Sequence, residues 1–297
     1  MPTRLITNVL LRRWPLPDPA KSGSKEHRGR ALIIAGAVEM PGAAILAATA
    51  ALRAGCGKVR VAAPEPAALA LASAVPELFV LPIAPSGKRR KKTLRSVIDS
   101  SGATDSILIG PGMRDTAAIR FLLPQLFRLD SLRALIFDAT ALRILSTLSR
   151  RSLPKADRRC PLILTPHHSE AATLCDVAPE KIERDPLRYA REIAQRFHAV
   201  VVLKGAETII CSSNTRAEAF ENKRGNIGLA TAGSGDVLAG VIAGLTARGT
   251  DLLQAAVWAV ALHARAGERL AKKMGPIGYL ARELAAQIPP LLARSGS

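Results

Sequence analysis

The chain has 297 residues, 48% hydrophobic but only 3% aromatic, which is enough for a large α/β core built from Ala, Leu, Val and Ile. No apolar run reaches the ~18 residues of a membrane-spanning helix, and the Met-Pro-Thr-Arg start lacks the apolar core of a secretory signal. A net charge of +18 favours anionic partners, nucleotides or nucleic acid.

Residues 1–30 are polar and proline-containing and read as an extended N-terminal arm ending in Lys25, Arg28 and Arg30. Trp14-Pro15-Leu16-Pro17 interrupts the amphipathic helix that a transit peptide would need. Residues 31–35 form a short apolar run closed by Gly36, the pattern of a buried parallel strand. Pro41 opens an alanine-rich helix over 42–53, stopped by Gly55 and Gly57. A strand at 58–62, a helix at 69–74 and a strand at 78–83 follow. The basic run Lys88-Arg89-Arg90-Lys91-Lys92 has no interleaved aromatics for base stacking and reads as a solvated loop, which argues against nucleic-acid binding.

The alternation continues with a helix at 92–100, a strand at 106–109, a helix at 116–127 and a strand at 134–137. Strands at 162–164 and 200–203 enclose helices at 169–175 and 186–198, and 208–211 reads as a hairpin partner. Helices at 236–248, 253–272 and 278–294 close the chain. Strands alternating with helices predict a single α/β domain with a mostly parallel sheet. Cys56, Cys160, Cys175 and Cys211 are far apart, without paired or metal-ligand spacing, and read as reduced, buried residues of a cytoplasmic protein.

Gly36, Gly110-Pro111-Gly112, Asp138, Thr165-Pro166-His167 and Lys204-Gly205 each follow a predicted strand directly. In a parallel sheet the carboxyl ends of strands form the ligand-binding edge, so these residues converge there. Asp236 belongs on the same rim, after a loop of small residues (Gly225, Asn226, Gly228, Gly233, Ser234, Gly235) and before a smooth apolar helix. Glycines let backbone N–H groups approach a ligand, and a helix N-terminus adds partial positive charge, which together suit a phosphate. A carboxylate placed on that phosphate would repel it. Asp236 is therefore expected to act as base on a neighbouring hydroxyl while the loop holds the phosphoryl group. The structural alternative is an N-cap or first-turn acid without chemistry. No Lys follows Gly233, so the loop is not a Walker A motif.

Lys204 at a strand end suits a nucleotide phosphate, or else a plain turn with an exposed Lys. His167 can bond an anionic ligand and Glu170 can bind Mg²⁺; alternatively Ser169 caps a helix with Glu170 in its first turn. Adjacent His167 and His168 point apart with no Cys or third His nearby, which sets zinc chemistry aside.

The ordered set Ile34-Ala35-Gly36, Met40-Pro41-Gly42-Ala43-Ala44, Ala51-Leu52-Arg53-Ala54-Gly55, Ala74-Val75-Pro76-Glu77, Gly110-Pro111-Gly112, Leu164-Thr165-Pro166-His167, Val202-Leu203-Lys204-Gly205 and Gly233-Ser234-Gly235-Asp236 resembles the ADP-dependent NAD(P)H-hydrate dehydratase family. The resemblance covers nearly the whole chain. It implies a single-domain ribokinase-like three-layer sandwich over 1–297, without a fused epimerase domain. It implies repair of the S-epimer of hydrated NADH or NADPH, by phosphorylation of the ring hydroxyl with ADP or ATP and elimination of phosphate. Carried onto this chain, Asp236 is the base. Ala43, Gly112, His167 and Asp236 contact the hydrated nicotinamide nucleotide. Lys204, Gly205, Ala206, Glu207, Thr208, Asn226, Gly233 and Gly235 contact the adenine nucleotide. Mg²⁺ is the expected phosphate counter-ion, and a homo-oligomer, a tetramer, is implied. The chain departs from the family where Asp-Ala-Asp becomes Asp138-Ala139-Thr140, where His-Pro-Gly-Glu becomes His167-His168-Ser169-Glu170, and where paired glycines become Ala232-Gly233. A small-alcohol kinase of vitamin synthesis, acting on a thiazole or pyrimidine alcohol, would share the loop and the Asp. A basic nucleic-acid binder with a degenerate site is the remaining alternative.

Overall fold

Period-two alternation along the buried strands gives the sheet two apolar faces, and each carries its own core. In chain order the elements are β1 (Thr3–Leu5), α1 (Asn8–Arg13), β2 (Arg30–Ile34), α2 (Pro41–Arg53), β3 (Lys58–Pro64), α3 (Glu65–Ala74), β4 (Phe79–Ile83), α4 (Gly87–Ser101), β5 (Ser106–Ile109), α5 (Thr116–Leu126), β6 (Ala134–Phe137), α6 (Thr140–Ser146), β7 (Leu162–Leu164), α7 (His168–Cys175), α8 (Pro179–Arg184), α9 (Pro186–Phe197), β8 (Ala199–Leu203), β9 (Thr208–Cys211), β10 (Ala219–Asn222), α10 (Ser234–Ala247), α11 (Leu252–Met274) and α12 (Ala281–Ser295). This computed structural model describes residues 3–18, 28–148, 161–214 and 218–295.

The ten strands form one sheet in the order β1-β10-β9-β8-β7-β6-β5-β2-β3-β4. From β2 to β8 every pairing is parallel, and only β9 runs against its neighbours. Ala31 and Ile33 of β2 face one core, shared with α2, α10 and α11; Leu32 and Ile34 face the other, shared with α5, α7 and α9. The result is a helix–sheet–helix sandwich, as the strand and helix alternation predicts.

Helices α2 and α10 meet backbone to backbone. A Cβ on Gly240 would stand 2.2 Å from the carbonyl oxygen of Ala47, and one on Gly244 2.5 Å from that of Ala51. The glycines of α10 and the alanines of α2 are therefore two halves of one contact. It fixes the start of α10, and with it Asp236, against the helix that carries Ala43.

Three expectations are corrected. The N-terminal arm is not extended throughout: Thr7 caps α1, and Leu10 and Leu11 bury themselves in the core. β1 adds to the sheet edge beside β10, and the carbonyl of Trp14 accepts from Trp258 Nε1 at 2.8 Å. Of the arm's basic residues, Lys25 lies outside the described residues. The basic run is the opening of α4 rather than a loop. Five cations at a helix N-terminus oppose the dipole, but Leu94 and Val97 are buried, Arg89 pairs with Glu65 at 2.5 Å, and Arg90 pairs with Asp115. The third concerns the cysteines. Cys56 and Cys211 are buried free thiols as expected, Cys175 is only partly buried, and Cys160 lies outside the described residues. Burial pushes the thiols of Cys56 and Cys175 up to about 11 and that of Cys211 to about 12, so they stay protonated.

Candidate active site

Because β2 and β5 to β8 run parallel, the turns after them share one edge of the sheet. Gly36 N–H donates to the carbonyl of Pro111 at 2.8 Å, joining the turns after β2 and β5. A Cβ on Gly112 would stand 2.5 Å from the Cβ of Ala43, so only glycine lets this turn rest on the first turn of α2. The structure thus brings Ala43 and Gly112 together.

Asp138 follows β6 on the edge where the strand-end residues converge. It is buried, accepts from Thr165 Oγ1 at 2.7 Å and pairs with Lys204 Nζ at 2.8 Å. Its partner follows β8, where Lys204 bridges to His167 in parallel register. Lys204 is therefore not the exposed lysine of a plain turn. Burial works against its charge, but attraction to Asp138, then to Glu170, outweighs this and raises its pKa. Next to Asp138, Ala139 holds φ +49°, a backbone region that costs a non-glycine residue energy. Thr140, which stands where the family has a second acid, donates to the carbonyl of Met113 at 2.6 Å and ties this turn to the one after β5.

Asp236 lies in the first turn of α10, whose N-cap is Gly233 at φ +86° with no side-chain cap. The N-cap reading of Asp236 is thereby excluded. A Cβ on Gly233 would collide with Leu46 of α2 at 2.4 Å, and one on Gly235 would stand 3.5 Å from Lys204 Nζ. The outward N–H groups of the first turn and the ammonium therefore face the same space. Burial first, then the negative charge of Asp138, push the Asp236 carboxyl from 3.8 up to about 7, with Lys204 pulling the other way. A carboxyl titrating near neutrality takes a proton and gives it up readily, as a general base must. Behind it, His263 Nε2 stands 3.0 Å from Ser234 Oγ. Burial pushes that imidazole down to about 4, so it is neutral at physiological pH.

His167, not Ser169, caps α7. Its Nδ1 accepts from Glu170 N–H at 3.3 Å, while Glu170 Oε2 accepts from His167 N–H at 2.9 Å. Glu170 thus has a structural task at the helix end. His168 reaches over the next turn: a Cβ on Gly205 would stand 2.8 Å from its Nε2. Gly205, Ala206 and Glu207 are open to solvent, and Thr208 begins β9 opposite Asn222. Asn226 Oδ1 accepts from Gly228 N–H at 2.9 Å and from the Tyr279 hydroxyl at 2.8 Å. Its buried Nδ2 has no partner within the protein, which leaves an open donor in this loop. Among the described residues no three His, Cys, Asp or Glu gather as a metal site.

A parallel sheet whose strand ends carry a glycine-led helix N-terminus, a carboxyl poised near neutrality and a Lys–Asp pair with a buried carboxylate is a scaffold for phosphoryl transfer. Its architecture is that of a ribokinase-like superfamily protein from Enterococcus faecalis V583, with TM-score 0.81 at 27% identity over 98% of this chain and 96% of that one. The family model for NAD(P)H-hydrate dehydratase matches residues 31–290. The ADP-dependent (S)-NAD(P)H-hydrate dehydratase of Xanthomonas campestris pv. campestris is 39% identical over 294 residues, 98% of this chain and 96% of that one. The ADP/ATP-dependent NAD(P)H-hydrate dehydratase of Bacillus subtilis, co-crystallised with ATP and Mg²⁺, matches with TM-score 0.83 at 29% identity over 99% of both chains. The chain belongs to the NAD(P)H-hydrate dehydratase family.

Proposed function

We infer that this protein is a lyase that restores hydrated NADH or NADPH in its S form, consuming ADP. The observation that carries the reading is the position of Asp236: a carboxyl pushed up to about 7, at a glycine-led helix N-terminus, beside Lys204. Asp236 accepts the proton of the ring hydroxyl as its oxygen attacks the terminal phosphoryl group of ADP, and AMP leaves with the electrons of the broken anhydride bond. The first-turn N–H groups and Lys204 receive the charge on that group. The phosphate then leaves with the electrons of the carbon–oxygen bond, and a proton passes from the adjacent ring carbon to water, which restores the double bond.

Ala43, Gly112 and His167 line the nicotinamide side. The Lys204–Thr208 turn, Asn226, Gly233 and Gly235 line the adenine nucleotide side, where the unpartnered Asn226 Nδ2 supplies a donor for a phosphate. Mg²⁺, which neutralises phosphate charge, suits a site whose protein carboxylates are few. It would be held mainly by the nucleotide phosphates, with Glu170 reaching it through water. A homo-oligomer in the cytoplasm completes the reading, the latter in keeping with the free thiols of Cys56, Cys175 and Cys211.

The test is to incubate the protein with hydrated NADH and ADP and follow the absorbance of the reduced nicotinamide. Recovery that requires ADP supports the reading. No recovery, together with phosphorylation of a thiazole or pyrimidine alcohol, would replace it with a small-alcohol kinase.

A further inference from the structure

Beyond Gly112, on the same sheet edge but away from Lys204, lies a pocket of about 380 Å³ that the chemistry above leaves unused. Its walls are the carboxyl-end turns of β2, β3, β4 and β5, with Ala62, Pro64, Ile83 and Met113 among the apolar lining. Gly36 is shared: it lines this pocket and bonds to the turn that carries Gly112. The pocket therefore continues the nicotinamide side of the site rather than forming a separate cavity. Parallel strands lie ~4.8 Å apart, so the floor over β2 and β3 begins about 5–10 Å beyond β5. A dinucleotide anchored by its nicotinamide at Gly112 extends over that distance.

The lining carries paired charges, Arg114 with Glu39 and Arg90 with Asp115. The N-terminal half of α4 adds Lys88 and Lys91 nearby. Arg114 pairs with Glu39 at 2.7 Å, with both side chains more than half exposed. A pair so open to solvent holds its partner weakly, and a guanidinium can donate to a phosphate with the same bidentate geometry it uses on a carboxylate. Arg90 is more firmly held, by Asp115 and by the carbonyl of Pro85 at 3.1 Å. An apolar cleft of this volume with a few charged groups at one rim has the form of a site for a flat heterocycle joined to phosphates.

We propose that this pocket receives the adenosine half of the hydrated dinucleotide, with adenine between the apolar walls and the phosphates on Arg114. The inference rests on the dehydratase reading and deepens it. It gives the enzyme a reason to prefer a dinucleotide over a mononucleotide, since binding remote from the reacting ring is drawn on at the reacting centre.

The test compares kcat/KM for hydrated NADH, hydrated NADPH and hydrated reduced nicotinamide mononucleotide, which lacks the adenosine half. Wild type, Arg114→Ala and Ala84→Phe are assayed; Ala84 lines the pocket. Wild type should prefer the dinucleotides by about tenfold or more, and both variants should reduce that preference several-fold. A selective loss for hydrated NADPH places the 2′-phosphate on Arg114, and an equal loss for both dinucleotides places the bridging phosphates there. A preference unchanged in Arg114→Ala overturns the proposal. That variant alters an exposed side chain, so it decides the matter even if Ala84→Phe does not fold. Binding of NADPH, read by its own fluorescence, separates the two levels of inference. If wild type turns over no hydrate but binds NADPH more tightly than Arg114→Ala does, the pocket stands and the dehydratase reading falls. Equal NADPH binding by the two overturns the pocket.

Discussion

Asp236→Asn keeps the shape of the side chain and removes its charge, so it separates two roles with opposite signs. A first-turn acid stabilises its helix by about 0.3–1 kcal/mol, and losing it would destabilise the protein. A buried base does the reverse. Its carboxyl is pushed from 3.8 up to about 7, chiefly by burial and then by Asp138. Between those two values the folded state binds more protons than the unfolded state, so stability falls as pH rises through the window and the penalty is complete above about 7. A displacement of that size corresponds to at most ~4 kcal/mol, and half of that still exceeds what the helix dipole contributes. Asn carries no such penalty. The variant should therefore melt several degrees above wild type at pH 8, with a smaller gap at pH 5, since one kcal/mol moves Tm by about 2–4 °C at nearly this size. Melting curves at both pH values at fixed ionic strength measure this, with calorimetric titration of ADP showing whether the nucleotide site survives. Turnover should fall by about 10²–10⁴. A variant that melts at or below wild type at pH 8, or that keeps turnover, refutes the reasoning.

The neighbours of Asp236 should move its titration in opposite directions. The rise of kcat/KM with pH should centre near 7 in wild type, lower in Asp138→Asn, which removes a negative charge, and higher in Lys204→Met, which removes a positive one. Asp138→Asn also leaves Lys204 without its carboxylate, so denaturant melts should show a loss of about 3 kcal/mol. Gly240→Ala drives a methyl group into the carbonyl of Ala47 and should destabilise the fold by about 1–3 kcal/mol in the same assay. His263→Ala removes the bond to Ser234 at the start of α10 and should raise the KM for ADP several-fold, about 1 kcal/mol, with no change in the pH midpoint.

The central strands were legible because each is a short apolar run bounded by polar residues, proline or glycine, and the residues at their carboxyl ends converge on one edge by topology alone. The elements at the sheet's rim were not. β10 has only Ala219 and Phe220 as apolar residues, and α1 shows its apolar side only through Leu10 and Leu11, too little for a periodicity. Five consecutive cations read as solvated loop in 88–92 because like charges oppose a helix. What makes it helical is the burial of Leu94 and Val97 farther along, together with carboxylates distant in sequence, Glu65 and Asp115. The candidate site was legible residue by residue but not as pairs. Asp138 and Lys204 are 66 residues apart, and nothing local to either announces the other.

That pairing decides how the site works. In the proposed reaction the space at the start of α10 receives phosphates, whose negative charge would push the Asp236 carboxyl further up and away from the role of base. A site with Asp236 and Asp138 alone would protonate its own base on binding nucleotide. Lys204 stands where it counters both effects: beside Asp138, whose charge it balances at 2.8 Å, and beside the N–H groups at Gly235. Its ammonium pulls the Asp236 carboxyl down, and in the proposed reaction it would hold the incoming phosphate at the same time. The acid limb should therefore shift less on ADP binding in wild type than in Lys204→Met, when the pH dependence of kcat is compared with that of kcat/KM. An equal shift in both proteins would mean that another group, Mg²⁺ or the helix N-terminus itself, carries the compensation.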